Sequence, residues 1–171
     1  AIQRYDEFFV AELMVEDGSL KVLKILSNAS AVIAEGEVNQ LTAARRIDLG
    51  EERYLEIINA KTAALFAAAC RIAAVVAERP EGEEAALDAY GRNLGIAFQL
   101  VDDALDFVAD SSEFGKKHGA DLSEGKVTLP VILLQALANP SEKAELARIY
   151  AQPSIESQDR VTICGLVEKY D

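Results

Sequence analysis

Asp102, Asp103 and Asp106 interrupt an apolar run, FQLVDDALDF over residues 98–107, that otherwise has the composition of a protein interior. Buried carboxylates are costly unless they are paired or bound to a metal. On a helix, Asp102 and Asp106 lie four residues apart and Asp103 and Asp106 three, so they share one face, with Gln99 a turn earlier. Like charges at that spacing repel and destabilise an empty helix, and a divalent cation reverses the sign. Mg2+ favours one or two carboxylates completed by water and phosphate oxygens, which this cluster can supply. A solvated acidic patch at a helix end is the plain alternative. The apolar flanks Ile96, Ala97, Leu100, Val101, Leu105 and Phe107 argue against it.

A lysine-bearing loop follows at once, GKKHGADLSEGKVTLP over residues 115–130. Lys116 and Lys126 each follow a glycine, which permits turns that bring backbone close to a phosphate. An acidic cluster beside such a loop suits a metal-bound diphosphate: cations bridge carboxylates to phosphate oxygens, and ammonium groups neutralise the remaining charge. Asp121 can accept a bond from a lysine or hold a metal-bound water; taken alone, the loop also reads as solvated charge. Lys61-Thr62, in NAKTAALF over residues 59–66, is a third element. A lysine within an apolar helix must snorkel outward or meet an anion, and the sequence leaves both open; the Thr62 hydroxyl could donate to a phosphate oxygen. Glu35, Glu37 and Gln40 are polar positions in a further apolar segment, AEGEVNQL, where Gln40 either faces solvent or meets a polar group, satisfying a neighbour or orienting an aspartate. His118, the sole histidine, is expected to be exposed and supports no Ser-His-Asp or Cys-His set.

These residues must be positioned by helices. Half of the 171 residues are hydrophobic, chiefly Ala, Leu, Val and Ile, and the few Gly and Pro cluster outside the long periodic stretches, which favours an all-α chain. The spacing predicts a helix from Ser19, its cap, to about Arg46, and a break at Asp48-Leu49-Gly50. A second runs from Glu51 to about Glu78, stopped by Arg79-Pro80, and a third from 81 to about 109 carries the aspartates. A polar loop over 110–122 is followed by helices over Ser123–Ala138, over Pro140–Ala151 with Ser141 as cap, and near Asp159–Tyr170. Ala63, Ala64, Ala67, Ala68, Ala73 and Ala74 let helices approach closely or leave a slender channel; ordinary close packing is the simpler reading.

The formal net charge of −12 excludes nucleic acid and anionic membrane as partners unless a local basic patch overrides the field, and no such stripe is present. Cys70 and Cys164 are too few for a disulfide framework or a thiolate metal site, and a reducing cytoplasm fits. The start, AIQRYDEFF, lacks an apolar signal region, and charge breaks the apolar runs before bilayer length, so no transmembrane segment is expected.

Taken together, these segments resemble the trans-isoprenyl diphosphate synthases, the polyprenyl synthetase family. FQLVDDALDF is similar to the family's second aspartate-rich motif, GKKHGADLSEGKVTLPVI to its glycine-lysine loop, AKTAALF to its lysine-threonine helix and IAEGEVNQL to the helix before it, in the family's order. The resemblance covers about residues 11–138 of a single domain spanning 1–171, with both ends matching poorly. It is nearest to the long-chain octaprenyl and decaprenyl synthases that make quinone side chains. It implies an antiparallel all-α bundle of the isoprenoid synthase type, incomplete here, that condenses isopentenyl diphosphate with an allylic diphosphate.

By the same resemblance, Asp102, Asp103 and Asp106 would hold Mg2+, Lys61, Lys116 and Lys126 would contact the allylic diphosphate, and Thr62 and Gln99 would line its site. The family's first aspartate-rich motif and its paired arginines have no counterpart here; Asp6-Glu7 in RYDEFFVAEL lacks the spacing. The expectation is therefore a second catalytic half, with negligible turnover alone, that forms a homodimer or pairs with a complementary synthase chain. The competing expectations are a non-catalytic regulatory subunit or degenerate relative and, more weakly, half of a terpene cyclase or head-to-head synthase.

Overall fold

The computed structural model describes residues 18–107 and 119–170, and every regular element among them is helical. Helix α1 spans Leu20–Ala43, capped by Ser19, whose hydroxyl accepts the Val22 amide proton at 3.3 Å. It buries Val22, Ile25, Ala29, Gly36 and Ala43, while Leu20, Val38 and Leu41 of the same periodic set face outward. The chain reverses through the Asp48-Leu49-Gly50 break into α2, Glu51–Ile58, whose acidic first turn, Glu51 and Glu52, complements the helix dipole.

The long helix expected from Glu51 to Glu78 is interrupted. Asn59–Ala63 form a π-turn between α2 and α3, which spans Ala64–Val76. The extra residue rotates the chain beyond it by about 100°, but residues 63–70, AALFAAAC, are apolar on every side, so periodicity does not reveal it, although such turns often occur at functional sites. Neighbouring helices press on this turn from two sides. A Cβ at Gly36 of α1 would lie 2.6 Å from the Lys61 backbone nitrogen, and one on Gly95 would lie 2.6 Å from the Ala63 Cα. Only glycine permits that approach.

Helix α4, Glu81–Leu105, starts after Pro80 and returns antiparallel to α3. Ala63, Ala64, Ala67, Ala68 and Ala74 are buried, as close packing requires, whereas Ala73 is exposed. At the end remote from the π-turn, the buried Glu84 carboxylate is hydrogen-bonded by Lys21 of α1, with Arg71 of α3 at 3.7 Å. On the outer side of α4, Leu87, Tyr90, Leu94, Phe98, Val101 and Leu105 recur at helical spacing and are all exposed.

The remaining helices are α5, Ala120–Ser123; α6, Leu129–Leu137; α7, Pro140–Tyr150; and α8, Ser157–Lys169. They enclose a second core in which Leu122, Leu134, Leu146, Ile149 and Ile163 are almost fully buried. Three boundaries differ from the sequence expectation. Residues Ala120–Leu122, placed in a loop, form a helical turn with Ser123. Helix α6 begins at Leu129 and not at Ser123, because Gly125 adopts φ +75° and Thr128 is extended. Asn139, not Ser141, caps α7: its side chain accepts from the Ser141 and Glu142 amides at 2.9 and 3.0 Å, and Glu142 returns a bond to the Asn139 amide at 2.9 Å.

Glu51–Val76 is also long and apolar enough, by length and composition alone, to cross a membrane, with a mean hydropathy of 1.4. The sequence expectation held that charge breaks the apolar runs before bilayer length; this stretch reaches that length with Lys61 inside it. The stretch packs between α1 and α4, the position of a core helix.

Candidate functional site

Two continuous helices and the π-turn place the polar residues. The π-turn brings Thr62 opposite α4, and its hydroxyl donates to Gln99 Oε1 at 2.8 Å. Gln99 passes the order on, its Nε2 donating to Asp103 Oδ1 at 2.7 Å. The second oxygen, Oδ2, accepts the Tyr54 hydroxyl from α2, also at 2.7 Å. The result is a line Thr62–Gln99–Asp103–Tyr54 joining α2, the π-turn and α4. Lys61 projects from the same turn toward α1, where its ammonium donates to Gln40 Oε1 at 2.9 Å. The two readings of Gln40 thus resolve in favour of a polar partner.

The three aspartates are not equivalent. Asp103 is 3% exposed. Burial raises its pKa, the like charges of Asp121 and Asp102 add to the rise, and the hydrogen bonds from Tyr54 and Gln99 oppose it. Burial likewise raises the pKa of Tyr54, helped by its bond to Asp103. Asp102, one residue earlier and about 100° around the helix, is exposed. Asp106 turns toward the segment after the loop: Oδ1 accepts the Gly119 and Ala120 amides at 3.1 and 3.2 Å, and Oδ2 accepts that of Asp121 at 3.1 Å. It anchors the start of α5.

Lys126 donates to Asp121 at 2.6 Å and lies 2.8 Å from Glu124. Burial disfavours its charge, but those bonds prevail and raise its pKa. The reading of Asp121 as a lysine acceptor matches this pair. Lys116 and His118 lie outside the described residues, as does Asp6-Glu7. A small cleft brings Gln40, Tyr54, Gln99, Asp103, Lys126 and Thr128 together. Asp103, Gln99 and Lys126 therefore share one space, whereas Lys61 is turned to Gln40 at its edge. Tyr54 escaped the sequence reading. Its signal was a tyrosine at a core position beside Ile57 and Ile58, where a buried hydroxyl needs an acceptor.

Among the described residues no three His, Cys, Asp or Glu side chains converge into a metal cage. The donors are nonetheless hard carboxylate oxygens, with Asp102 exposed at the end of α4. Mg2+ is seldom held by an all-protein cage; one or two carboxylates, waters and phosphate oxygens suffice, so this donor set fits an ion shared with a phosphorylated ligand.

The polyprenyl synthetase family model matches residues 4–165. Octaprenyl diphosphate synthase of Escherichia coli (strain K12) is 47% identical over 137 residues, which are 80% of this chain and 42% of that protein. Heptaprenyl diphosphate synthase component 2 of Geobacillus stearothermophilus is 33% identical over 160 residues, covering 94% of this chain and 49% of that one. Among solved structures, a decaprenyl diphosphate synthase from Rhodobacter capsulatus superposes with a TM-score of 0.81 at 45% identity, over 92% of this chain and 49% of that one. A polyprenyl synthase from Caulobacter crescentus CB15, complexed with calcium and isoprenyl diphosphate, gives 0.87 at 46% identity, over 92% and 48%. This chain thus spans less than half the length of the octaprenyl synthases it matches. Its helices have the isoprenoid synthase fold, and the chain belongs to the polyprenyl synthetase family.

Proposed function

We propose that this chain forms one wall of a prenyltransferase site at which isopentenyl diphosphate condenses with an allylic diphosphate to give a polyprenyl diphosphate of the kind used for quinone side chains. The observation that carries the reading is the line Thr62–Gln99–Asp103–Tyr54, which ties the lysine-threonine turn to the aspartate helix in a member of this family. Asp102, Asp103 and Asp106 are the residues for Mg2+. Asp102 takes the exposed position, and Asp103 and Asp106 fix the helix end through their hydrogen bonds and act through remaining lone pairs and water. When bound, Mg2+ neutralises diphosphate oxygens and so eases the departure of the leaving group.

Lys61, Lys116 and Lys126 supply positive charge to the allylic diphosphate; Thr62 and Gln99 line it and set its orientation. Because Lys61 is held by Gln40, a neutral acceptor, an anion competes for its ammonium without first breaking an ion pair. The described residues carry one carboxylate wall, so they are expected to turn over negligibly alone and to work against a complementary wall. The exposed apolar stripe of α4 supports such a partner. The free thiols of Cys70 and Cys164 are in keeping with a cytoplasmic setting.

A radiolabelled condensation assay with isopentenyl and farnesyl diphosphates and Mg2+ tests this. Product is expected when the chain is mixed with the part of the Escherichia coli octaprenyl synthase that lies outside their match, and Asp102→Ala should abolish it. Robust elongation by the chain alone would overturn the one-wall reading. Failure of the mixture, with both parts folded and associated, would overturn the prenyltransferase reading.

A further inference from the structure

Thr128 occupies the N-cap position of α6, where a threonine hydroxyl ordinarily accepts an amide proton from the first turn. Here it makes no such bond. Its Oγ1 is buried without a hydrogen-bond partner, in a residue only 5% exposed. A buried hydroxyl left alone costs free energy, and native structures rarely tolerate one without water or an ion beside it.

The hydroxyl belongs to the wall of the small cleft next to Asp103. About 20 Å3 of that cleft is open to the centre of a water molecule, and Tyr54, Gln99, Asp103 and Lys126 line it with Thr128. About 10–15 Å3 is enough for one water, provided that it finds two to four polar partners. The partners have capacity to spare. Tyr54 donates its proton to Asp103 and accepts the Leu129 amide, which leaves it one lone pair, and each Asp103 oxygen accepts one side-chain bond and can accept another. A cation is disfavoured, because the Lys126 ammonium lines the same space.

We propose that this cleft binds one ordered water molecule, hydrogen-bonded to Thr128 Oγ1 and to the Tyr54–Asp103 pair, and that Thr128 is a positioning residue acting on Asp103 through it. The water ties the segment Lys126–Thr128, which carries a candidate diphosphate ligand, to the helix that carries the carboxylates. The presence of the water rests on the geometry alone. Its effect on ligand binding rests on the diphosphate-site reading above.

Crystal structures of the chain and of its Thr128→Val and Thr128→Ser variants test it. A solvent peak about 2.6–3.2 Å from Thr128 Oγ1 is expected in the parent and in Thr128→Ser, and none in Thr128→Val. An empty cleft in the parent, a hydroxyl turned to an α6 amide, or a peak with the short oxygen contacts of a metal ion would each overturn the proposal. The parent and Thr128→Ser crystals decide this even if Thr128→Val fails to fold. Calorimetry with inorganic pyrophosphate and Mg2+ reads the positioning role: Thr128→Val should weaken affinity about tenfold, as loss of an outer partner of a metal ligand does, and Thr128→Ser should restore it. Equal affinity in all three would overturn that role. Absence of pyrophosphate binding to the parent would instead sink the diphosphate-site reading, and the crystals would still decide the water.

Discussion

Tyr54→Phe removes a single oxygen from the core and leaves Asp103 Oδ2 without its donor. The ring keeps its packing, and the pH-dependent part of the effect reports the hydrogen bond of 2.7 Å to a carboxylate that is 3% exposed, since the Leu129 amide that the hydroxyl also accepts does not titrate. A hydrogen bond to a charged group contributes about 1.5–3 kcal/mol, and one between neutral partners about 0.5–1.5 kcal/mol. The loss should therefore depend on the protonation state of Asp103. Its folded pKa already lies above the ordinary 3.8, so the folded chain binds more protons than the unfolded one between those two values. Stability from this group is present at low pH and is lost as pH rises through the folded pKa. The Tyr54 hydroxyl favours the charged carboxylate, so its removal pushes the folded pKa further up and extends that loss to higher pH. Urea unfolding followed by circular dichroism across the titration of Asp103 should show Tyr54→Phe less stable by about 0.5–1.5 kcal/mol where the carboxyl is protonated and by about 1.5–3 kcal/mol where it is charged. A difference that is flat, or that shrinks as pH rises, would refute the claim that Asp103 is a buried carboxylate held charged by Tyr54.

Gly36→Ala should destabilise by about 1–3 kcal/mol, since the new Cβ would meet the π-turn backbone 2.6 Å from the Lys61 nitrogen; urea midpoints measure this, and a change below a few tenths of a kcal/mol would contradict the contact. Asp106→Ala leaves the Ala120 and Asp121 amides without their acceptor, whereas Gly119 keeps the Asp106 backbone carbonyl at 3.2 Å, so hydrogen exchange at Ala120 and Asp121 should accelerate while α3 amides keep their protection. Asn139→Ala removes the side-chain half of the α7 capping box, while the backbone amide of residue 139 still donates to Glu142, and should cost about 1 kcal/mol, whereas Ser141→Ala should change thermal stability little.

Much of the helical frame was legible because its signals are local. Ser19 as a cap, the Asp48–Gly50 break and the Arg79-Pro80 stop lie where the sequence placed them, since each fixes the backbone within a turn. The π-turn was not legible, because the residues after it, AALFAAAC, are apolar on every side and conceal the shift of face, and the glycines that press on it, Gly36 and Gly95, come from other helices. Cap choice at α7 depended on which of two neighbouring polar residues met the helix start, and Pro140 at the first position left that role to Asn139. For the site, spacing put the aspartates on one side of α4 but could not tell Asp103, turned into the core, from Asp102, turned out. That difference depends on Tyr54 arriving from α2 across 49 residues of sequence. The stripe from Leu87 to Leu105 has the periodicity of a buried face yet is exposed, because a pattern records that a face is apolar and not which surface covers it.

The account stands most directly on whether this wall grips a magnesium-bound diphosphate. Isothermal calorimetry of the chain with inorganic pyrophosphate should show binding that requires Mg2+, weakens by tenfold or more in Asp102→Ala and in Lys61→Ala, and is kept in Arg53→Ala, a change at an exposed residue of α2. Binding that is indifferent to Mg2+, or that survives the loss of both Asp102 and Lys61, would contradict it.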